Sequence, residues 1–145
     1  MTRLLRAVVL ASTVVVTGCK SKLPTAKITV HDQALTVEIV ADPETRAEGL
    51  MHRDSLGADR GMLFIYPDIA PRAFWMKNTR IPLSIAYIDA EGEIKRIADM
   101  KPLDTNKTPS LYPVKYALEV NKGWFEAHGV EAGHKVTDLP DVDPT

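Results

Sequence analysis

The sequence predicts a mainly β domain: a compact antiparallel sandwich or barrel with two short helices. Three observations lead there. Apolar residues recur at every second position over several short stretches, which is the period of half-buried strands. Glycine, proline, aspartate and asparagine punctuate the gaps between those stretches. No strand–helix–strand rhythm of the kind that builds a parallel sheet runs through the chain.

Taken in order, Ile28 and Val30, then Leu35, Val37 and Ile39, alternate with Thr29, Thr36 and Glu38, giving two strands joined by a turn at His31-Asp32-Gln33. Asp42-Pro43-Glu44 then supplies a capping side chain, a proline at the first helical position and an acid in the first turn, so a helix is expected from Pro43 to about Met51. Its apolar face, Ala47, Leu50 and Met51, would cover a sheet. Gly57 and Gly61 mark a loop before a buried strand at Met62 to Tyr66. Pro67 and Pro71 bracket another loop, and Phe74-Trp75-Met76 begins a further short strand.

Ile81 to Ile88 is strongly apolar, and Asp89-Ala90-Glu91-Gly92 forms a tight turn into a strand with Ile94, Arg96 and Ala98 on one face and Ile97 on the other. From Pro102 to Pro113 periodicity disappears and a long loop is expected. Tyr116, Leu118 and Val120 return to alternation, Trp124 to His128 forms a short helix or turn, and Lys135 to Thr137 a last strand. Residues 139–145, with Asp141 and Asp143, read as a frayed acidic tail.

The start of the chain carries an address. Arg3 and Arg6 precede the apolar run Ala7 to Val16, which is half the length of about 20 residues needed to cross a bilayer, so residues 1–18 are expected to be a cleavable export signal. Val16-Thr17-Gly18-Cys19 resembles the lipobox of bacterial lipoproteins. That resemblance implies diacylglycerol on the Cys19 sulfur, cleavage before Cys19 and acylation of the new amine. Two chains already suffice for stable anchoring. Lys20 after the cysteine, under the sorting pattern of enteric bacteria, implies the inner leaflet of the outer membrane, facing the periplasm. Residues 19–26 then form a short tether, at most about 25 Å from Lys20 to Thr25 or Ala26, with Lys20, Lys22 and Lys27 either near the headgroups or in a solvated linker, and residues 27–138 a single domain.

Cys19 is the one cysteine in the sequence, so the mature domain would hold no internal disulfide and no catalytic thiol. Removing residues 1–18 leaves 127 of 145 residues. It takes away Arg3 and Arg6 and no acid, moving the formal charge from −1 to −3. That balance argues against a nucleic-acid partner.

Four segments stand out: Gly49-Leu50-Met51-His52-Arg53; Gly61-Met62-Leu63-Phe64; Phe74-Trp75-Met76-Lys77-Asn78-Thr79 with Ile81-Pro82-Leu83; and Leu118-Glu119-Val120 with Gly123. In this order and spacing they resemble the domain of unknown function 192 family of bacteria and archaea, over roughly residues 27 to 138. The resemblance implies a compact β-rich domain and supplies no established activity. Two departures matter. Many relatives read Pro-Leu-Asp where this chain reads Pro82-Leu83-Ser84, and a cysteine common in the long loop of relatives is missing from Thr108-Pro109-Ser110.

The candidate ligand-binding residues are Arg53, Trp75, Lys77, Asn78, Thr79 and Glu119. On a strand, Trp75, Lys77 and Thr79 would share one face, an aromatic beside a lysine and a hydroxyl, suited to an anionic or sugar-like ligand. The simpler alternative packs Trp75 and Met76 in the core, uses Asn78 and Thr79 in a turn and leaves Lys77 in solvent. Arg53 and Glu119 are a candidate ion pair near that motif. Met51, Met62, Met76 and Met100 suit Cu(I) chemically, with Met51-His52 as the nearest approach to a ligand pair, yet they lack clustering. His31, His52, His128 and His134 lack zinc spacing, and Ser55, Ser84 and Ser110 lie outside nucleophile motifs. No metal or cofactor is expected.

The expected role is a membrane-tethered, non-catalytic binding or accessory domain of the cell envelope. Its partners would be the bilayer through Cys19 and a small molecule, glycan or envelope protein. The alternative is a hydrolase acting on envelope polysaccharide through Glu119 or Asp89. That alternative requires at least two of Arg53, Lys77, Asp89 and Glu119 to line one concave pocket. A third role, assembly with an envelope partner, requires an exposed apolar patch without such a pocket.

Overall fold

The computed structural model describes residues 22–145. The export segment and Cys19 lie outside the described residues. The elements are β1 (Thr25–Val30), β2 (Gln33–Val40), α1 (Pro43–Glu48), β3 (Arg60–Phe74), β4 (Leu83–Ile88), β5 (Ile94–Met100), β6 (Thr108–Asn121), α2 (Trp124–Ala127) and β7 (Val136–Thr137). The fold is mainly β with two short helices, as the sequence predicts. Strand pairing starts at Thr25, which faces Glu38, inside the segment read as tether.

The seven strands form one sheet in the order β5-β4-β6-β3-β2-β1-β7. The sheet curls until its edges approach: Glu93 pairs with Lys135, the Ile94 amide donates to the His134 carbonyl at 2.9 Å, and the Val136 amide donates to Gly92 at 2.8 Å. The result is a half-barrel. Gly92 has a φ of +82°, and a Cβ there would lie 2.5 Å from the Val136 carbonyl oxygen, so the junction requires glycine. One pair is not antiparallel. β2 and β3 run parallel, from Thr36 opposite Arg60 to Val40 opposite Phe64, because α1 and its following loop carry the chain back to the start of the next strand.

Alternation sorts side chains onto two faces, and both are buried. Leu35, Val37 and Ile39 of β2, Leu63 and Ile65 of β3, Ala86 and Ile88 of β4, and Leu118 and Val120 of β6 point into the barrel with Ile28, Val30, Trp124, Phe125 and Val136. Their neighbours Met62, Phe64, Leu83, Ile85, Tyr87 and Ala117 face outward into a second core with Leu50, Met76, Ile81, Met100 and Val114. Burial on both faces explains the unbroken apolar runs of β3 and β4.

α1 ends at Glu48, earlier than expected. Asp42 caps it through the Thr45 amide at 2.9 Å, and Gly49 leaves the helix at φ +50°. Pro67 and Pro71 do not end β3, and the segment from Pro102 to Pro113 is only partly a loop. β3 continues to Phe74 and β6 starts at Thr108. The two pair as a ribbon that includes Pro71 opposite Pro113 and Ala73 opposite Pro109, with register shifts between Ile65 and Ala70 and between Pro71 and Ala73. A two-stranded ribbon has free edges and bulges, which are the sheet positions where proline is tolerated. The ribbon covers the outer face of the sheet: Phe74 meets Phe64 edge-on at 4.8 Å and Tyr87 at 5.9 Å, and the Tyr87 hydroxyl donates to the Thr108 carbonyl at 2.5 Å.

Phe74 therefore closes β3, and Trp75 and Met76 lie beyond it instead of opening a new strand. In β5 an irregularity leaves Ile88 opposite Ile94 but Tyr87 opposite Arg96. The extra residue moves the alternation by one, so Ile97 packs with Ile94 on the barrel side while Ala98 faces the second core. The C-terminal residues are not frayed. Leu139 and Val142 pack against the barrel core, the Thr145 amide donates to Ala41 at 3.0 Å and Arg46 donates to the Thr145 carbonyl at 2.7 Å.

Candidate functional site

A cleft of about 230 Å³ opens between α1, the β3–β6 ribbon and the outer face of the sheet. Each of the four segments singled out in the sequence reaches it. Gly49, Leu50 and Met51 come from the end of α1, Phe64 from β3, Phe74, Trp75 and Thr79 from the end of the ribbon and its turn, and Glu119 from β6. Arg46, Ala47, Glu48, Tyr66 and Ala73 complete the lining. Two glycines permit this convergence. A Cβ on Gly49 would meet the Phe64 ring at 3.3 Å, and one on Gly61 would lie 2.8 Å from the Glu119 carbonyl oxygen, so at these two points the close approach to β3 requires glycine.

Glu119 is the chemical centre of the cleft. It stands on β6 opposite Met62 of β3 and Ile85 of β4, on the outward face between Leu118 and Val120, which point into the barrel. The residue is 4% exposed. Among the described residues no donor bonds to its carboxyl oxygens, and burial pushes its pKa up to about 8. The group is therefore mostly protonated at neutral pH.

The walls are aromatic and partly polarised. Tyr66 lies against two guanidinium groups, Arg72 at 3.9 Å and Arg46 at 5.0 Å from its ring. Burial nevertheless raises the Tyr66 pKa above the ordinary phenol value. Arg46 is bound to the carbonyls of Ala41 (2.6 Å), Ile65 (3.0 Å) and Thr145 (2.7 Å). Trp75, 42% exposed, forms the rim, with Lys77 Nζ 5.2 Å from its ring centroid.

Three of the six candidate residues thus meet: Trp75, Thr79 and Glu119 line one cleft, and Lys77 braces Trp75 from outside it. They do not share a strand face. The chain turns after Met76, where the Thr79 amide donates to Met76 at 3.1 Å and the Thr79 hydroxyl to the Lys77 carbonyl at 3.1 Å. Met76 joins the core, while Trp75 does not. Asn78 is exposed at φ +53°, and its carbonyl accepts from the His52 amide at 2.9 Å, so its part is to shape the turn.

Arg53 is elsewhere. Its guanidinium pairs with Glu38 at 2.6 Å, replacing the expected Glu119 pair, in a separate cleft with Lys22, Leu23 and Asp42. Asp89 accepts from the amides of Glu91 and Glu93 in its own turn. Of Arg53, Lys77, Asp89 and Glu119, Glu119 alone reaches the central cleft. Sequence reasoning missed the parts played by Arg46, Glu48 and Tyr66, for which no motif gave a signal. Phe64, Phe74 and Leu50 lay within the quoted segments, and their convergence could have been suspected from that.

Ser84 fills the position where many relatives carry aspartate. Its hydroxyl donates to Asp99 at 2.6 Å and accepts from the Gly123 amide at 3.0 Å, so the carboxylate stands on the neighbouring strand β5. Among the described residues no three His, Cys, Asp or Glu side chains gather as a metal site, and no helix is long and apolar enough to cross a membrane. Ile69, Leu111 and Tyr112 are exposed along the ribbon.

No curated protein matches the chain significantly. Among the solved structures similar to it are the following two. One, from Sinorhizobium meliloti and described as a candidate transcription regulator, is 33% identical, with a TM-score of 0.74, over 80% of this chain and 96% of that one. The other, a protein of unknown function from Novosphingobium aromaticivorans, is 31% identical, with a TM-score of 0.75, over 81% of this chain and 88% of that one. The sequence profile of DUF192, described as an uncharacterized ACR, matches residues 26–137. With the half-barrel and its four converging segments, that match shows that the chain belongs to the DUF192 family.

Proposed function

We propose that this chain is a lipid-anchored binding domain of the cell envelope, held to the membrane through Cys19, facing the periplasm from the inner leaflet of the outer membrane, and taking a small ligand in the cleft around Glu119. The observation that carries the binding reading is the convergence of four separate segments on one concavity with a buried, unpartnered carboxyl at its floor. A well-formed pocket with a perturbed acid is where a ligand is sought first. Trp75 at the rim offers a flat apolar face for a sugar ring or a compact organic molecule. The anchor rests on the lipobox resemblance and on the arginines and apolar run before it.

A polysaccharide hydrolase gains no support, because a second group from its required set does not reach the cleft. The regulator description of the Sinorhizobium relative is not adopted for this chain, whose formal charge of −1 is unfavourable for binding a duplex. Two measurements test the proposal. Mass spectrometry of the N-terminal peptide from membranes should find three acyl chains on Cys19, and Cys19→Ser should release the protein from the membrane fraction. Envelope small-molecule extracts should change the fluorescence of Trp75 in wild type and not in Glu119→Gln. Equal responses from the two proteins would remove the cleft from consideration.

A further inference from the structure

We infer that the cleft selects a small organic cation, an alkylated or primary ammonium group, seated on the Glu119 carboxylate with its carbon substituents against Phe64, Phe74 and Trp75. The inference rests on the binding reading above and names the chemistry of its ligand. Its basis is an imbalance in the cleft. The cleft holds the carboxyl of Glu119, a residue 4% exposed with no donor bonded to its side chain among the described residues, and Leu50, Phe64, Ala73, Phe74 and Trp75 line the same concavity. An aromatic face attracts a cation through its quadrupole, most strongly where water is excluded. A carboxylate in the same enclosure supplies the opposite charge.

The other charged groups around the cleft do not reverse this preference. Glu48 also lines it, from the end of α1. Arg46, also from α1, lies in the lining, but its guanidinium donates to the carbonyls of Ala41, Ile65 and Thr145 and leans on Tyr66. Arg72 takes Tyr66 from 3.9 Å and pairs with Asp68 at 2.5 Å. Lys77 stands against Trp75 outside the lining. Tyr66 of β3 and Tyr87 of β4 face Glu119 as neutral phenols whose ionisation burial opposes. Glu119 is thus the one group of the cleft floor whose charge changes near neutrality, and a bound cation would hold it ionised.

The expected linkage follows. In the empty cleft Glu119 keeps its proton to about pH 8. An ammonium ion beside it stabilises the charged form, so the proton leaves to solvent on binding and the apparent pKa falls by about one to three units. Affinity for a permanently charged cation then rises roughly ten-fold between pH 7 and pH 9, levelling off once Glu119 is ionised without help.

The test uses the full chain with its glutamates labelled at the side-chain carboxyl carbon, and the Glu119 pKa read by NMR with and without tetramethylammonium chloride. Methylammonium serves as the smaller cation, sodium acetate as the anion and tert-butanol as a neutral probe of similar shape. The expected result is a fall in the Glu119 pKa and a shift of the Trp75 indole resonance with the two cations only, both lost in Glu119→Gln. If acetate or tert-butanol moves Trp75 and the cations do not, the cation assignment is overturned and the cleft remains a binding site for another chemistry. If no probe moves Trp75 at any pH, the assignment and the binding reading both fall. Trp75→Phe, which keeps a ring at the rim, should weaken tetramethylammonium by several-fold without altering the Glu119 pKa of the empty protein.

Discussion

The two faces of the curled sheet are built from the same strands and have opposite characters. Inside the barrel, Leu35, Val37, Leu63, Ala86, Leu118 and Val120 form a continuous apolar core. Outside, the alternate residues Met62, Phe64, Ile85, Tyr87 and Ala117 pack under the ribbon and with Leu50, just past the end of α1, and Glu119 interrupts them. Leu118 and Glu119 are adjacent in sequence and belong to different environments. The inner face is complete and serves stability. The outer face is roofed by short elements that leave a gap above the one residue least suited to burial.

The comparison predicts that inner and outer substitutions separate stability from binding. Leu118→Ala should cost about 2–5 kcal/mol of stability, the usual cost of emptying a buried leucine site, while the protein that remains folded binds as wild type does. Urea unfolding and ligand titration of the same sample measure the two effects. Equal losses in both would mean that the faces are not independent.

Glu119→Gln should act mainly through pH. The folded-state pKa of Glu119 is raised above its ordinary 4.5 to about 8, so the folded protein holds a proton that the unfolded chain has released. Its contribution is then fully present below about pH 4.5 and is lost as pH rises through about 8, at no more than about 1.4 kcal/mol per pH unit. Glutamine removes that dependence. The variant should gain a few kcal/mol on wild type between pH 5 and pH 9, read from urea midpoints at the two values. Parallel midpoints would show that Glu119 is already ionised and compensated.

Smaller effects probe the roof itself. Tyr87→Phe deletes the hydroxyl that holds Thr108 of the ribbon and should cost about 1 kcal/mol. Hydrogen exchange should quicken in the ribbon at residues 108–114 and not in the barrel strands. Lys77→Ala removes the cation beside Trp75 at a cost of about 0.5 kcal/mol. A changed Trp75 emission with an unchanged unfolding midpoint would show that Lys77 positions the rim without supporting the core.

Much of the barrel was legible in the chain because local patterns and tertiary demands agree there. Leu35, Val37 and Ile39 alternate, Asp42-Pro43 starts a helix, and the turn at Asp89–Gly92 joins two paired strands. The ribbon was not legible. Pro67, Pro71, Pro109 and Pro113 read as breaks, and only the pairing of β3 with β6 converts them into tolerated edge positions. The docked C-terminal residues were missed for a similar reason, since the contact between Arg46 and Thr145 spans nearly the whole domain.

The site shows the same division. Trp75, Thr79 and Glu119 could be chosen by residue type and motif, but their meeting depends on a turn at Asn78 that a strand reading replaced with alternation. Arg53 and Glu119 were candidates for one ion pair by motif alone, yet Arg53 pairs with Glu38 on β2, a strand whose alternation gave no sign of that contact. Tyr66 gave no advance sign, being one more aromatic at the end of an apolar run. Chemistry was readable from the letters, and distance was not.

The junction between β1 and β7 also governs when the protein can come into existence. Thr29 donates to Asp138 across 109 positions of chain, and Val30 pairs with Val136 beside it. Such distant pairings slow folding, because a large loop must close before its contacts form. The barrel edge therefore stays open until nearly all of the chain has been synthesised. The last strand thus acts as a latch that cannot engage until residues 136–138 have left the ribosome.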